Sequence, residues 1–301
     1  MTALRIATLV PSATDLVAAL GLADALVGVS HECDHPAAEG LPVLTASHLG
    51  TAPSRDPAEI DRAVSAAVAE GTPLYATDLE ALTALAPDLV IAQDVCDVCA
   101  VNGASLRGRL PDGAHLLRLG ATSLAGLERD LSAIGRATDR AAHAERVISE
   151  LREALEGVKE AVADAPLRRV LGLEWGDPPF SAGHWVPELI AIAGGRDVLA
   201  APGGASRRVT GALPEAELMV FTPCGYTTDE AAAELRRLHA EGKPVGRAAA
   251  RQPSWALDAV RLLSRLTPAS ATGAARALAG VLHPERVGPP SPADAVRVEL
   301  A

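Results

Sequence analysis

The stretch from Thr138 to Ala163 reads TDRAAHAERVISELREALEGVKEAVA. Its apolar residues Ala144, Val147, Ile148, Leu151, Leu155, Val158 and Val162 recur at intervals of three and four through charged neighbours. That spacing predicts one amphipathic helix, with Gly157 as its single glycine. At about 1.5 Å per residue it would span roughly 35–40 Å, the height of a domain. Pro166 closes it, since proline can neither donate to nor fit the turn before it.

Outward from this helix, both flanks alternate short apolar runs with helical patterns. Towards the N-terminus the runs are Leu4 to Val10, Ala25 to Val29, Pro73 to Tyr75, Asp88 to Ala92 and His115 to Leu119. The first ends in Pro11-Ser12-Ala13-Thr14-Asp15, where Ser12 is expected to cap a helix and Asp15 to complete a weakened capping box. Towards the C-terminus, strands are expected at Arg169 to Leu173, Glu217 to Phe221 and Ser254 to Leu257. Helices are expected there at His184 to Ala193, Asp229 to His239 and Ala269 to Leu282. Strands alternating with helices imply an α/β fold with largely parallel sheets and ligands at their carboxyl ends. The expected organisation is an N-terminal lobe over 1–136, a linking helix over 137–164, a C-terminal lobe over 165–286 and a solvated Pro-rich tail over 287–301.

Composition narrows the function. With 301 residues, 49% hydrophobic and 22% charged, the chain can bury a sizeable core, which excludes disordered, collagen-like and coiled-coil classes. The formal net charge of −11, with no basic cluster, argues against nucleic acid and anionic membranes as partners. No apolar run approaches the length of a membrane helix. Arg5, Pro11 and Asp15 interrupt what a secretory signal would need, so a cytoplasmic protein is expected, with its four cysteines as thiols, ligands or redox groups. Neither a Gly-rich phosphate loop nor a Gly-x-Ser-x-Gly elbow is present.

Four polar clusters follow expected strands: His31-Glu32-Cys33-Asp34; Gln93-Asp94 running on to Cys96 and Cys99; Glu174-Trp175 with Phe180 and His184-Trp185; and Pro223-Cys224-Gly225-Tyr226. They hold all four cysteines and four of the seven aromatic residues. The spacing of Cys96 and Cys99 suits one metal ion or a reversible disulfide, and the competing reading is packing as small apolar groups or contact with a ligand. His31 reads either as a loop imidazole bonded to backbone or as a ligand-facing group. Trp175 and Trp185 read either as core or as the wall of a cleft.

Several of these segments, taken together, are specific. They are Leu9-Val10-Pro11-Ser12-Ala13-Thr14, Gly28 to Asp34, Gln93-Asp94 with Cys96 to Val101, Leu173-Glu174-Trp175 with Asp177-Pro178-Pro179-Phe180, and Ala182-Gly183-His184-Trp185-Val186-Pro187-Glu188-Leu189. They resemble the cobalamin-binding, helical-backbone (class III) substrate-binding proteins, in the signal-less branch of cobalamin or iron-complex type, from Arg5 to about Pro284. The resemblance implies two Rossmann-like lobes joined by one long helix, with a corrinoid or other metal chelate held between them. Trp175, Phe180 and Trp185 would then be flat apolar walls, and His31, Glu32, Asp34, Gln93, Asp94 and Glu174 would meet the polar periphery. Pro11, Ser12, His184 and Cys224 complete the expected contacts, and an ABC permease is a partner only if the chain is exported. Where the family shows an aromatic pair, this chain has Leu262-Leu263, which removes stacking surface.

A second reading is a cytoplasmic enzyme with a metal such as zinc or iron. His31, Cys33, Cys96 and Cys99 would be its ligands, with Cys224 and His184 as further candidates and Glu32 or Glu174 as general base.

Overall fold

The computed structural model describes residues 3–48, 57–70, 73–94, 106 and 108–300. The chain divides into two compact units, one of residues 1–121 with 125–148 and the other of 122–124 with 149–301.

The first unit begins with β1 (Ile6–Thr8), α1 (Pro11–Ala19), β2 (Leu26–Gly28), β3 (Thr45–Ser47), α2 (Pro57–Glu70), β4 (Tyr75–Thr77) and α3 (Leu79–Leu85). It continues with β5 (Leu89–Gln93), β6 (His115–Leu119), α4 (Leu124–Ala137) and the start of α5 (Ala141–Ala161). Its main sheet is parallel, in the order β2-β1-β5-β6. Strand residues alternate between the two faces: Ala7, Leu9, Val90 and Ala92 pack with Leu44, Leu82 and Leu106 on one side. Ile6 and Ile91 are fully buried and belong to the opposite face by the same alternation. Helix α1 starts at Pro11, with Val10 as its N-cap and no side-chain cap. Ser12 is therefore the second helical residue and not the cap, because the fixed φ of Pro11 already sets the first turn. The run at Pro73 to Tyr75 also differs from expectation. The strand is Tyr75–Thr77, and it pairs antiparallel with β3 in a separate two-stranded sheet.

Helix α5 has the 21 residues Ala141–Ala161, and the division between the units falls inside it. Ala144, Ile148, Leu151, Leu155 and Val158, from the apolar stripe, are all buried. Near its start α5 approaches α4 closely at Gly135, where a Cβ would lie 2.7 Å from that of Ala144.

The second unit continues with β7 (Arg168–Gly176), β8 (Pro179–Ser181), α6 (Val186–Ile192), β9 (Gly195–Asp197), β10 (Leu218–Phe221), α7 (Thr228–Ala240) and α8 (Pro244–Ala249). It closes with β11 (Ser254–Leu257), α9 (Ala259–Leu262), α10 (Pro268–Leu282), α11 (Pro284–Val287) and β12 (Ala295–Arg297). The sheet order is β12-β11-β10-β7-β8, with β9 parallel to the first half of β7. Leu171, Leu173, Met219, Phe221 and Ala256 pack with α7 and α8. Val170, Val220 and Leu257, buried on the other face by strand alternation, face away from them. Capping boxes, Thr227 with Glu230 and Thr267 with Ser270, start α7 and α10. The Pro-rich end is not simply solvated. After Gly288 to Pro292 the chain returns as β12, antiparallel to β11, and buries Ala295 and Val298.

Candidate functional site

In the first unit β1 is followed on one side by β2, and the chain then crosses to place β5 on the other side. The loops leaving β1 and β5 therefore diverge, which opens a crevice at the carboxyl ends where ligands bind in such sheets. Pro11-Ser12 and Gln93-Asp94 stand at that switch point, and His31-Glu32-Cys33-Asp34 follows the neighbouring β2. The expected residues of this unit thus share one edge of one sheet.

Around His31 the local geometry is closed by backbone pairing. Val29 bridges to Val43, and the Leu44 amide donates to the Val29 carbonyl at 2.8 Å, which lays Thr45 beside Ser30 and His31. The Thr45 hydroxyl accepts from the His31 amide at 3.0 Å, lies 2.6 Å from His31 Nδ1 and donates to Ser30 Oγ at 3.2 Å. Ser30 Oγ also accepts from the Glu32 amide at 3.4 Å. Tyr75 packs on the imidazole with ring centroids 5.7 Å apart. Asp94, exposed just after β5, is paired with Arg118 of β6 at 2.6 Å. Cys33 is a free, half-buried thiol.

In the second unit the switch point lies between β7 and β10, whose carboxyl ends carry Glu174-Trp175 and Thr222-Pro223-Cys224. The Cys224 amide reaches the Glu174 carbonyl at 3.4 Å, and Cys224 Sγ lies 3.5 Å from Ser264 Oγ, which also accepts from the Gly225 amide. Trp175 meets Tyr226 edge-on with centroids 6.0 Å apart and pairs with Phe180 across the β7–β8 ladder. Arg208 stands over the Phe180 ring at 5.6 Å. Thr222 Oγ1 is buried without a hydrogen-bond partner among the described residues.

His184 and Trp185 are placed differently from expectation. Because β8 runs antiparallel, the chain is back level with Gly172 by Ala182, roughly 10 Å of strand from Trp175. His184 has φ +55° and cannot start a helix, so α6 begins at Val186 with Trp185 as its N-cap. Its amide and carbonyl are held by Gly204 and Gly203, and burial lowers the imidazole pKa. The Trp185 ring lies 5.8 Å from that of His184, half-exposed overall but with Nε1 buried and unpartnered among the described residues. Leu262 and Leu263, read as a cleft wall without stacking surface, are both core residues.

Sequence reasoning does not find Thr45, Tyr75 as a partner of His31, or Thr222. Each acts through strand register or a loop return that no local motif encodes. Cys96 and Cys99 lie outside the described residues. Among the described residues no three His, Cys, Asp or Glu side chains gather where a metal ion could be held, so the metal-enzyme reading has no ligand set there.

Two α/β units, each with polar side chains at a switch point of its sheet and with the chain passing from one to the other inside one long helix, are the architecture of a binding protein. A family model described as periplasmic binding protein matches residues 6–211, more than half of the chain, and the chain belongs to that family. Among solved structures, an ABC transporter substrate-binding protein from Listeria monocytogenes is 16% identical with a TM-score of 0.68, covering 93% of this chain and 98% of its own. The periplasmic vitamin B12 binding protein of Vibrio cholerae is 20% identical with a TM-score of 0.64, covering 92% and 96%. The Staphylococcus aureus protein IsdE, complexed with heme, is 16% identical with a TM-score of 0.69, covering 93% and 99%. At these identities the likeness is one of fold. No curated protein matches the chain. No helix among the described residues is long and apolar enough to cross a membrane.

Proposed function

We propose that the protein binds a flat metal chelate, a corrinoid or a heme, as a substrate-binding protein of the ABC-transport type. One observation carries the reading. In a chain with only seven aromatic residues, Trp175, Phe180 and Tyr226 lie half-exposed around the end of β7, linked through Trp175. Such residues supply large, rigid contact area to an apolar ligand, and the few polar groups beside them fix its orientation. The first unit, taken by itself, carries an oriented imidazole with carboxylate and amide groups near its own switch point. Solved relatives of the same fold that are named for vitamin B12 and for heme support this ligand class.

Action in the cytoplasm is part of the proposal; an ABC permease would be the partner of an exported form. Equilibrium dialysis against aquacobalamin, cobinamide and hemin tests the ligand class. Retention of about one equivalent of at least one of them at micromolar concentration is expected, and retention of none overturns it.

A further inference from the structure

We propose that the second unit holds a further ligand site, for a small monocarboxylate with an apolar body, in the gap between α5, α10 and the Pro-rich return of the chain to β12. The site shares no residue with the aromatic surface at the end of β7, so it stands apart from the chelate reading.

A cavity of about 230 Å³ lies in this gap, lined by Val158 of α5, Arg276 of α10, the segment from Val287 to Ser291, and Asp294. Its position follows from how the returning chain meets α10. At Gly280 the two backbones touch, since a Cβ there would stand 2.8 Å from the Pro290 backbone nitrogen. Arg276 stands one turn earlier on the same face of α10, beside that contact. The walls are apolar. Val158 is buried in α5, whereas Val287 is 41% exposed, one of three large apolar side chains left open to water among the described residues. A guest with an apolar body covers Val287 and the flanking prolines, which favours binding.

Charge decides the head group. The Asp294 carboxylate is already paired with the Arg261 guanidinium at 3.2 Å. Arg276 makes no hydrogen bond or ion pair among the described residues, so the lining keeps one uncompensated positive charge in a chain of net charge −11. A guanidinium presents a planar fork of N–H donors that fits the two oxygens of a carboxylate. Ser291 Oγ accepts from the Ala293 amide at 3.3 Å, and its own proton is given to no group among the described residues, which leaves a second donor for the guest. A cationic guest would be repelled by Arg276, and a dianion such as phosphate would bring a second charge that the site does not balance. The cavity is smaller than the roughly 300–1,000 Å³ of sites for drug-sized ligands, which limits the body to a short chain or a single ring. Such a guest ties α5 and α10 to the segment leading into β12, and its binding to the folded chain alone raises stability.

The test uses the full chain with hexanoate and benzoate as probes and hexanol, hexylamine and inorganic phosphate as controls, read by melting temperature and by calorimetric titration. A saturable rise of about 2–4 °C is expected once hexanoate or benzoate exceeds its Kd about tenfold, with no rise from the controls at equal concentration. Arg276→Gln changes an exposed side chain and is expected to fold as wild type does but to bind the carboxylates at least tenfold more weakly, with Arg276→Lys between the two. If Arg276→Gln melts lower by itself, titration of the folded variant below its transition gives the same comparison. Trp175→Ala should answer the carboxylates as wild type does, whatever becomes of its chelate binding. No heat and no shift with either carboxylate overturns the site. So does a rise that never saturates, an equal response to hexanol, a response that survives Arg276→Gln, or one that is lost in Trp175→Ala.

Discussion

Gly183 lies flush against Ser206: a Cβ at position 183 would stand 2.7 Å from the Ser206 Cα. The two residues belong to a strip in which residues 203–208 run back along β8 and the turn after it. Ser206 Oγ donates to the Ser181 carbonyl at 2.8 Å, the Ser181 amide to the Arg207 carbonyl at 2.9 Å, and the His184 amide to the Gly204 carbonyl at 2.6 Å. Gly183→Ala must push this backbone away, and the Phe180–Arg208 contact and the turn holding His184 move with it. The expected outcome is a loss of about 1–3 kcal/mol in denaturant unfolding together with weakened chelate retention. Unchanged stability and retention would show that the strip yields freely.

Asp197, at the end of β9, gives a pH dependence of definite sign. Burial raises its pKa from 3.8 to about 6, against the opposing effect of the Leu199 and Ala200 amides, which donate to Oδ1 at 2.7 and 3.0 Å. Oδ2 lies buried against Gly172, whose amide also opposes the rise. Between pH 4 and 6 the folded chain binds more protons at this residue than the unfolded chain, so stability falls as pH rises through that window. The loss from this group is on the order of 3 kcal/mol. Denaturation profiles from pH 4 to 7 should show this component in wild type and not in Asp197→Asn, and parallel profiles for the two would contradict it.

The end of the chain is a structural strand. Val298 is 4% exposed and packs into the core between the sheet and α7 and α8, and β12 covers the edge of β11. Val298→Ala is expected to cost about 2 kcal/mol by chemical denaturation. Removing 293–301 should lower the melting temperature further, because it also uncovers the backbone edge of β11. A truncated chain that melts with wild type would show that β12 contributes nothing.

How much of the fold the amino-acid sequence declares by itself depends on how local each signal is. The stripe from Ala144 to Val158 declares α5 because its period lies within one element, and the hydrophobic runs at Asp88 to Ala92 and Arg169 to Leu173 declare buried parallel strands for the same reason. His184 is legible as a polar residue beside a helix but not as a left-handed turn, since its φ is imposed by Gly203 and Gly204, about twenty residues on. Thr45 is invisible: its value to His31 depends on the Val29–Val43 bridge, a pairing across a loop that no spacing rule marks. The return of the Pro-rich end as β12 is hidden because Ala295 to Arg297 is a strand only beside β11.

Calorimetric titration of wild type and Trp175→Ala with cobinamide and hemin decides whether the aromatic surface holds a chelate. Trp175 joins Tyr226 and Phe180, so its loss removes the centre of that surface without opening a fully buried core. Near-stoichiometric binding with a Kd of micromolar or tighter is expected for at least one chelate with wild type. In Trp175→Ala a weakening of about 10- to 100-fold is expected, with the melting temperature nearly unchanged. Absence of heat for every chelate with wild type, or equal affinity in the two proteins, would contradict chelate binding at this surface.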